Sequence, residues 1–331
     1  MGKKLVIGGS GFVGSNVVRK LVERGEDVRV MLRETSSTKA IDDLDVEHCY
    51  GDVFDDDALR RAMTGCDVAF YCVVDARAWL RDPSPLLRTN VEGLRHVLDA
   101  ALAADLERFV FMSTIATLAV STDGTPVTED DPCNWYSDGG AYTQCRVDAE
   151  NLVLSYAKDK GLPAVALCIS NTYGPRDWQP TPHGGLIAAI SAGKAPFYFQ
   201  GIGQEVVGIE DAAEAMVLAS HKGRIGERYI ISDRFMTTRE LHALAAEAGG
   251  VRAPWIAIPR RVLLALSSAA QLFGDLTGRE VKFVRRAFNM VDKMSPLDHS
   301  KAERELGWKP APFEDSIQKK AVAFYRAQHM S

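Results

Sequence analysis

The chain predicts an α/β protein: a doubly wound parallel sheet followed by a smaller, mostly helical C-terminal part. Three observations carry that prediction. Short apolar runs alternate with helical patterns from the start of the chain to about residue 170. The first run, Leu5 to Ile7, breaks into Gly8-Gly9-Ser10-Gly11 and resumes as a helix carrying Phe12, Val13, Val17, Val18, Leu21 and Val22. Past Pro175 the alternation gives way to prolines, glycines and a predominantly helical tail. Strand–helix alternation of this kind places crossover helices on both faces of a parallel sheet.

The elements follow in order. Asp27 to Leu32 reads as the second strand, because Val28, Val30 and Leu32 alternate, and Val46 to Tyr50 reads as the third. Asp55 to Met63 is a capped helix, Asp67 to Val74 a fourth strand and Pro85 to Ala104 a long amphipathic helix. Phe109 to Ser113 makes a fifth strand, Ala141 to Lys160 a second long helix closed by Gly161-Leu162-Pro163, and Val165 to Ile169 a sixth strand. A helix near Leu186 to Ala192 and the aromatic run Phe197-Tyr198-Phe199 follow. Val206 to Ile209, the helix Asp211 to Ser220 and the strand Arg228 to Ile231 read as a return to the main sheet. From Thr237 the pattern is largely helical, ending in the amphipathic stretch Ser316 to Gln328. The expected organisation is a Rossmann-type dinucleotide-binding part at 1–175 and about 205–232, with a substrate-binding part at 176–204 and 233–331. No linker separates them, so they are expected to share one interface.

At 331 residues the chain can bury a large core, and 46% hydrophobic with 25% charged residues is ordinary for a globular enzyme. A net charge of −5 without a basic block excludes nucleic acid as the expected partner. The six cysteines show no C-x-x-C spacing, and several fall in apolar runs; they read as free thiols of a reducing, cytoplasmic protein. The start of the chain lacks the layout of a signal peptide, since Gly14 and the polar residues after it interrupt too early. The longest apolar run, near Val262 to Phe273, falls short of the about 20 residues a membrane span needs.

Glycines between a strand and a helix let a phosphate approach the backbone, and the helix N-terminus offers it free N–H groups and partial positive charge. Gly8, Ser10, Gly11, Phe12, Val13 and Gly14 are the expected contacts, in either of two registers: Gly9-x-Gly11-x-x-Gly14 or Gly8-x-x-Gly11-x-x-Gly14. Cofactor choice is usually settled at the end of the second strand. Leu32-Arg33 places a cation there, with no acid until Glu34, which favours the 2′-phosphate of NADP(H) over NAD(H), the alternative cofactor. The bland reading of Arg33 is a solvated loop cation. Asp52 and Val53, after the third strand, stand where side chains meet an adenine. Tyr142 and Arg146 lie four apart on one helix face, where a cation can stabilise a phenolate, and Thr114 ends the fifth strand where a hydroxyl could bond a substrate oxygen. Their bland reading is a core tyrosine beside a surface arginine. His183 has no partner spacing for a metal and reads as a loop residue, so no metal site is expected.

Together these pieces resemble the extended short-chain dehydrogenase/reductases along nearly the whole chain: Gly8-x-x-Gly11-x-x-Gly14, Gly51-Asp52-Val53, Asn90-Val91-x-Gly93, Ser113-Thr114, Tyr142-x-x-x-Arg146, Tyr173-Gly174-Pro175 and Glu210-Asp211. Within that group the sequence is most similar to the branch of dihydroflavonol reductases, 3β-hydroxysteroid dehydrogenases and hopanoid-associated sugar epimerases. Ser113 to Leu118, Gly174-Pro175-Arg176-Asp177, Gly223 to Tyr229 and the tail Lys301-Ala302-x-x-Glu305-Leu306-Gly307-Trp308 carry that likeness. The resemblance implies that Tyr142 exchanges a proton with a carbonyl or secondary alcohol while Thr114 polarises the same oxygen. It also implies that Arg146 holds the nicotinamide ribose and lowers the Tyr142 pKa, that Asn90 supports the site from behind, and that the protein is a homodimer through its two long helices.

The departures from the family pattern gather at one end. Arg146 replaces a lysine and cannot relay a proton; Val73-Val74 stand where alanines are usual, Ile7 where threonine is, and Ile169 where proline is. Val73, Val74 and Ile169 are therefore expected beside the nicotinamide. Trp79, Trp135, Tyr136, Phe197 to Phe199 and the helix Val262 to Phe273 are read as core or as the lining of a pocket for a bulky apolar substrate. The expected function is an NAD(P)-dependent oxidoreductase interconverting a ketone and a secondary alcohol on a steroid-, terpenoid- or flavonoid-like molecule. The alternatives are a sugar or nucleotide-sugar epimerase/dehydratase, disfavoured by the lack of a basic cluster beyond Lys194 in Pro180 to Gln200, and a catalytically weak NADP(H) sensor or scaffold, motivated by Arg146.

Overall fold

The chain begins by alternating strands with helices. The computed structural model describes residues 2–329. The first half runs β1 (Lys3–Ile7), α1 (Phe12–Glu23), β2 (Val28–Leu32), β3 (Glu47–Tyr50), α2 (Asp56–Met63), β4 (Cys66–Tyr71), α3 (Ser84–Leu87), a π-helical turn (Arg88–Glu92), α4 (Gly93–Ala103), β5 (Arg108–Thr114), α5 (Gly140–Lys160) and β6 (Ala164–Ile169). The second half runs β7 (Asn171–Tyr173), α6 (Pro182–Ser191), β8 (Phe197–Gln200), β9 (Gly203–Gly208), α7 (Ile209–Lys222), β10 (Arg228–Ile231), β11 (Arg234–Thr237), α8 (Thr238–Gly249) and β12 (Ile256–Pro259). It closes with α9 (Arg260–Thr277), α10 (Arg285–Asp292), α11 (Ser300–Leu306), α12 (Phe313–Asp315) and α13 (Val322–His329).

Seven strands pair in the order β10-β6-β5-β4-β1-β2-β3, every neighbour parallel. The order reverses between β1 and β4, and a doubly wound sheet opens its ligand crevice at the carboxyl ends on either side of such a reversal. Period-2 alternation divides each strand between two cores. Val6, Val30, Phe70, Val110 and Leu167 pack under α1, α7 and the fully buried Trp308, whose indole N–H donates to the Asp211 carbonyl at 2.9 Å. Leu5, Ile7, Tyr71, Phe109 and Phe111 pack under α4 and α5.

Two sequence expectations change here. The apolar run from Val206 does not rejoin the main sheet: β9 pairs with β7 and β11 in a separate three-stranded sheet, and only β10 returns. A short apolar run marks a buried strand without saying which sheet buries it. The run Val262 to Phe273 is neither core nor pocket lining on its outer side: Val262, Leu266, Leu272 and Phe273 face solvent.

The second sheet holds an ionisable group that sequence reading passed over. Glu205 is 1% exposed and accepts hydrogen bonds from Ser232 Oγ at 2.5 Å and the Leu297 N–H at 2.8 Å. Burial pushes its carboxyl up to about 7. His183 lies inside α6 rather than in a loop; its Nε2 meets the Thr172 carbonyl at 3.1 Å and its ring packs edge-on against Tyr173. All six cysteines are free. Among the described residues no group of three or more His, Cys, Asp or Glu is placed to hold a metal, and no helix is long and apolar enough to cross a membrane.

Candidate active site

The turn after β1 is built around its glycines. Gly8 sits at φ +85°, the left-handed region where a side chain is strained. Gly14 lies beneath it, where a Cβ would come 2.3 Å from the Gly8 carbonyl oxygen. Gly11 is the N-cap of α1 with no side-chain cap and space outside it, and the first turn of the helix carries no acidic residue. The first N–H groups of α1 therefore point, uncapped, into an open crevice, which is the physical requirement of an anion site. This geometry uses the spacing Gly8-x-x-Gly11-x-x-Gly14. Gly9 serves packing instead, since a Cβ there would meet Val30 at 2.5 Å.

From this turn a groove of about 910 Å³ runs along the carboxyl ends of the strands. Gly8, Ser10, Gly11, Phe12, Val13, Arg33, Asp52, Val53, Val73 and Val74 line it, ten of the residues expected from sequence. Arg33 is exposed at the end of β2 beside Thr35, Ser36 and Ser37, and its guanidinium has no partner among the described residues. Gly14 is beneath the turn and Ile169 ends β6 in the core, so neither lines the groove.

The far wall holds a residue that the sequence reading quoted without giving it a role. Arg176 adopts φ +70°, costly for a residue with a side chain. Its guanidinium donates to Asn16 Oδ1 on α1 at 2.8 Å and pairs with Glu210 at 3.3 Å, so the segment after β7 is fastened to the phosphate-facing helix. The signal in the sequence was a Gly-Pro-Arg step straight after a strand.

Tyr142, Thr114, Arg146 and Asn90 come together beside Met112 and do not themselves line the open groove. Tyr142 is 8% exposed and belongs to an apolar cluster with Leu86, Ala116, Trp135 and Cys145, bordered by Ala78, Leu80 and Met290. Burial raises its phenol above the usual value; the charge of Arg146 and a hydrogen bond with Thr114 pull it down without prevailing. Arg146 thus lowers the phenol's pKa in the direction the resemblance implied, but desolvation outweighs the cation and Tyr142 stands protonated at neutral pH. Arg146 is no surface residue. It is 1% exposed, donates through Nη2 to the Met112 carbonyl at 2.6 Å and lies over the Phe111 ring at 5.2 Å. Asn90, in the π-helical turn, bonds both backbone groups of Asp75 and donates to Cys145 Sγ at 3.4 Å, so it ties the loop after β4 to α5.

One turn further along α5, Glu150 fixes the placement of this end. Its buried carboxylate accepts from Ser113 Oγ at 2.5 Å, Thr117 Oγ1 at 3.0 Å and Arg228 Nη1 at 2.9 Å. These bonds join the helix bearing Tyr142 and Arg146 to the end of β5 bearing Thr114. A lone glutamate in a helix gave no sequence signal.

The residues fit a dinucleotide on two observations of this structure. The N-terminus of α1 is uncapped beside a left-handed glycine, and Arg146 keeps Nε and Nη1 buried without a partner. A buried guanidinium with two idle donors is costly unless a ligand bonds it. Of the aromatics expected to line a pocket, Trp135 is buried and donates to the Leu118 carbonyl, Tyr136 bonds Asp148, and Trp79 bonds Glu280; none lines the groove.

Comparison with known proteins agrees with this geometry. A model of the NAD dependent epimerase/dehydratase family matches residues 4–232. The chain is 28% identical over 98% of its length to sterol demethylase protein B of Methylococcus capsulatus, covering 99% of that protein. It is 30% identical over 92% of its length to 4-hydroxy-2-methyl-3-oxo-4-farnesyl-3,4-dihydroquinoline-1-oxide ketoreductase of Stigmatella aurantiaca, covering 91% of it. It is also 26% identical over 93% of its length to dTDP-glucose 4,6-dehydratase of Streptomyces griseus, covering 89% of it. The solved structure of gox2253 superposes with a TM-score of 0.87 at 34% identity, over 98% of both chains. The chain belongs to the NAD-dependent epimerase/dehydratase family, as an extended short-chain dehydrogenase/reductase enzyme.

Proposed function

We propose that this enzyme interconverts a ketone and a secondary alcohol on a bulky apolar molecule, with NADP(H) preferred over NAD(H). The observation that carries the reading is the surroundings of Tyr142: a protonated phenol beside Thr114 and Arg146, walled by the apolar side chains of Leu86, Trp135, Leu80 and Met290. A phenol held neutral donates its proton to a carbonyl oxygen as that oxygen gains charge, and Thr114 supplies a second hydrogen bond to the same oxygen. The bound nicotinamide would supply the hydride. Arg146 would give its idle Nε and Nη1 to the ribose beside it, and its charge would stabilise the phenolate left on Tyr142. At the other end Gly8, Ser10, Gly11, Phe12 and Val13 would cradle the diphosphate, Asp52 and Val53 would flank the adenine, and Arg33 would meet the 2′-phosphate. The relatives named for a sterol and a farnesyl quinoline oxide support the substrate class. We carry a homodimer through the outer faces of α4 and α5 as part of this reading.

The test is a substrate panel. With NADPH, steroid, terpenoid and flavonoid ketones are expected to be reduced, and sedimentation equilibrium is expected to give a dimer. Conversion of a nucleotide sugar without net consumption of NADPH would replace this reading with the epimerase one. Tight NADPH binding with no turnover, unrescued by Arg146→Lys, would replace it with the sensor.

A further inference from the structure

Helix α9 is built inside out. Its inward face carries Leu263, Ser267, Gln271 and Gly274, while the opposite face presents Val262, Ala265, Leu266, Ala269, Leu272, Phe273 and Leu276 to solvent. Those seven positions recur at spacings of three and four, so they form one continuous stripe over the full helix. The stripe is well exposed: Leu266 is 54% accessible, Leu272 60%, Phe273 49% and Leu276 77%. A run of large apolar side chains on the outside of one helix marks a surface that something covers.

The flanks of the stripe indicate the partner. From Arg260 to Arg286 the chain holds six basic residues and two acidic ones, in a protein whose net charge is −5. Both acids are engaged: Asp275 pairs with Arg286 at 2.8 Å and Glu280 accepts from the Trp79 indole at 2.6 Å, while Asp292, just beyond, pairs with Arg260. Arg261 at one end of α9 and Arg279 just past the other have no side-chain partner among the described residues. A second copy of this chain, docked by a two-fold axis perpendicular to the helix, would set the unpaired Arg261 of one protomer against Arg279 and Lys282 of the other. A bilayer with anionic headgroups meets the same arrangement favourably, taking the apolar stripe into the acyl boundary and the cations at the phosphate level.

We propose that the outer face of α9 is a docking surface for an anionic lipid bilayer, on which the helix lies flat without spanning it. This site is separate from the reaction and does not depend on the substrate proposed above. The docked face would bring the α9–α10 segment, and through Glu280 and Lys282 the Trp79 loop, next to the lipid.

The test is co-sedimentation of the full chain with extruded vesicles of phosphatidylcholine, with and without phosphatidylglycerol. Binding is expected only with phosphatidylglycerol, weakening as salt rises. It is expected to fall about tenfold or more in Leu272→Ser/Leu276→Ser, and about tenfold in Arg261→Gln/Arg279→Gln. Both pairs are solvent-exposed, and unchanged thermal melting shows that the fold is retained. A wild-type protein that stays in the supernatant with anionic vesicles overturns the proposal, as does binding that neither variant weakens. A wild-type dimer dissociated by Leu272→Glu/Leu276→Glu, without vesicle binding, assigns the face to a second copy and equally overturns it.

Discussion

The glycine turn, our proposed phosphate end, and the cluster around Tyr142, our proposed reacting end, solve opposite problems. At the glycine turn the chain removes side chains: Gly8 is left-handed and Gly11 opens α1 without a side-chain cap. At the reacting end it adds and buries them: Tyr142 is 8% exposed and Arg146 1%, behind Met112. The first end needs only a turn that glycine permits. The second depends on a phenol, a hydroxyl and a guanidinium from two elements, set against each other by Glu150. Damage should therefore be local at the phosphate end and propagate at the reacting end.

Substitutions separate the two. Glu150→Ala leaves Arg228 without its carboxylate and frees α5 from β5, so stability is expected to fall by about 3–5 kcal/mol in urea unfolding, with turnover lost even at saturating cofactor. Glu205, which neither lines the groove nor belongs to the Tyr142 cluster, is the control. Its folded pKa of about 7 lies above the ordinary glutamate value, so its contribution is full below that ordinary value and is lost as pH rises through about 7. Glu205→Gln should abolish that slope, worth on the order of 3 kcal/mol, with turnover unchanged. Gly14→Ala places a methyl group against the Gly8 carbonyl; a cost of about 1–3 kcal/mol is expected, read as weaker NADPH binding by titration. Arg33→Ala should weaken NADPH about tenfold and NADH hardly at all, and equal losses would sink the assignment of the 2′-phosphate.

The phosphate end was legible because its requirement is local. A strand, a left-handed glycine and a helix N-terminus leave their mark in ten consecutive residues, and of the contacts expected there all but Gly14, which packs beneath the turn, line the groove. The reacting end was legible as a set of residues and not as an environment. The spacing of Tyr142 and Arg146 reveals a shared helix face, whereas the apolar cluster that buries the phenol draws on Leu86, Ala116 and Met290, distant in sequence. Glu150 and Arg176 act through partners 33 to 160 positions away, beyond any local pattern. Helix α9 failed for a related reason: an apolar stripe reads the same whether it faces the core or the solvent.

The central claim is that the buried phenol at the reacting end gives up a proton to the substrate. It is tested most directly by single-turnover oxidation of NADPH with a reducible apolar ketone, comparing the wild type with Tyr142→Phe at neutral pH. A rate lower by about 10²–10⁴-fold in Tyr142→Phe, with NADPH affinity unchanged, is the expected result. An undiminished rate in Tyr142→Phe would contradict it.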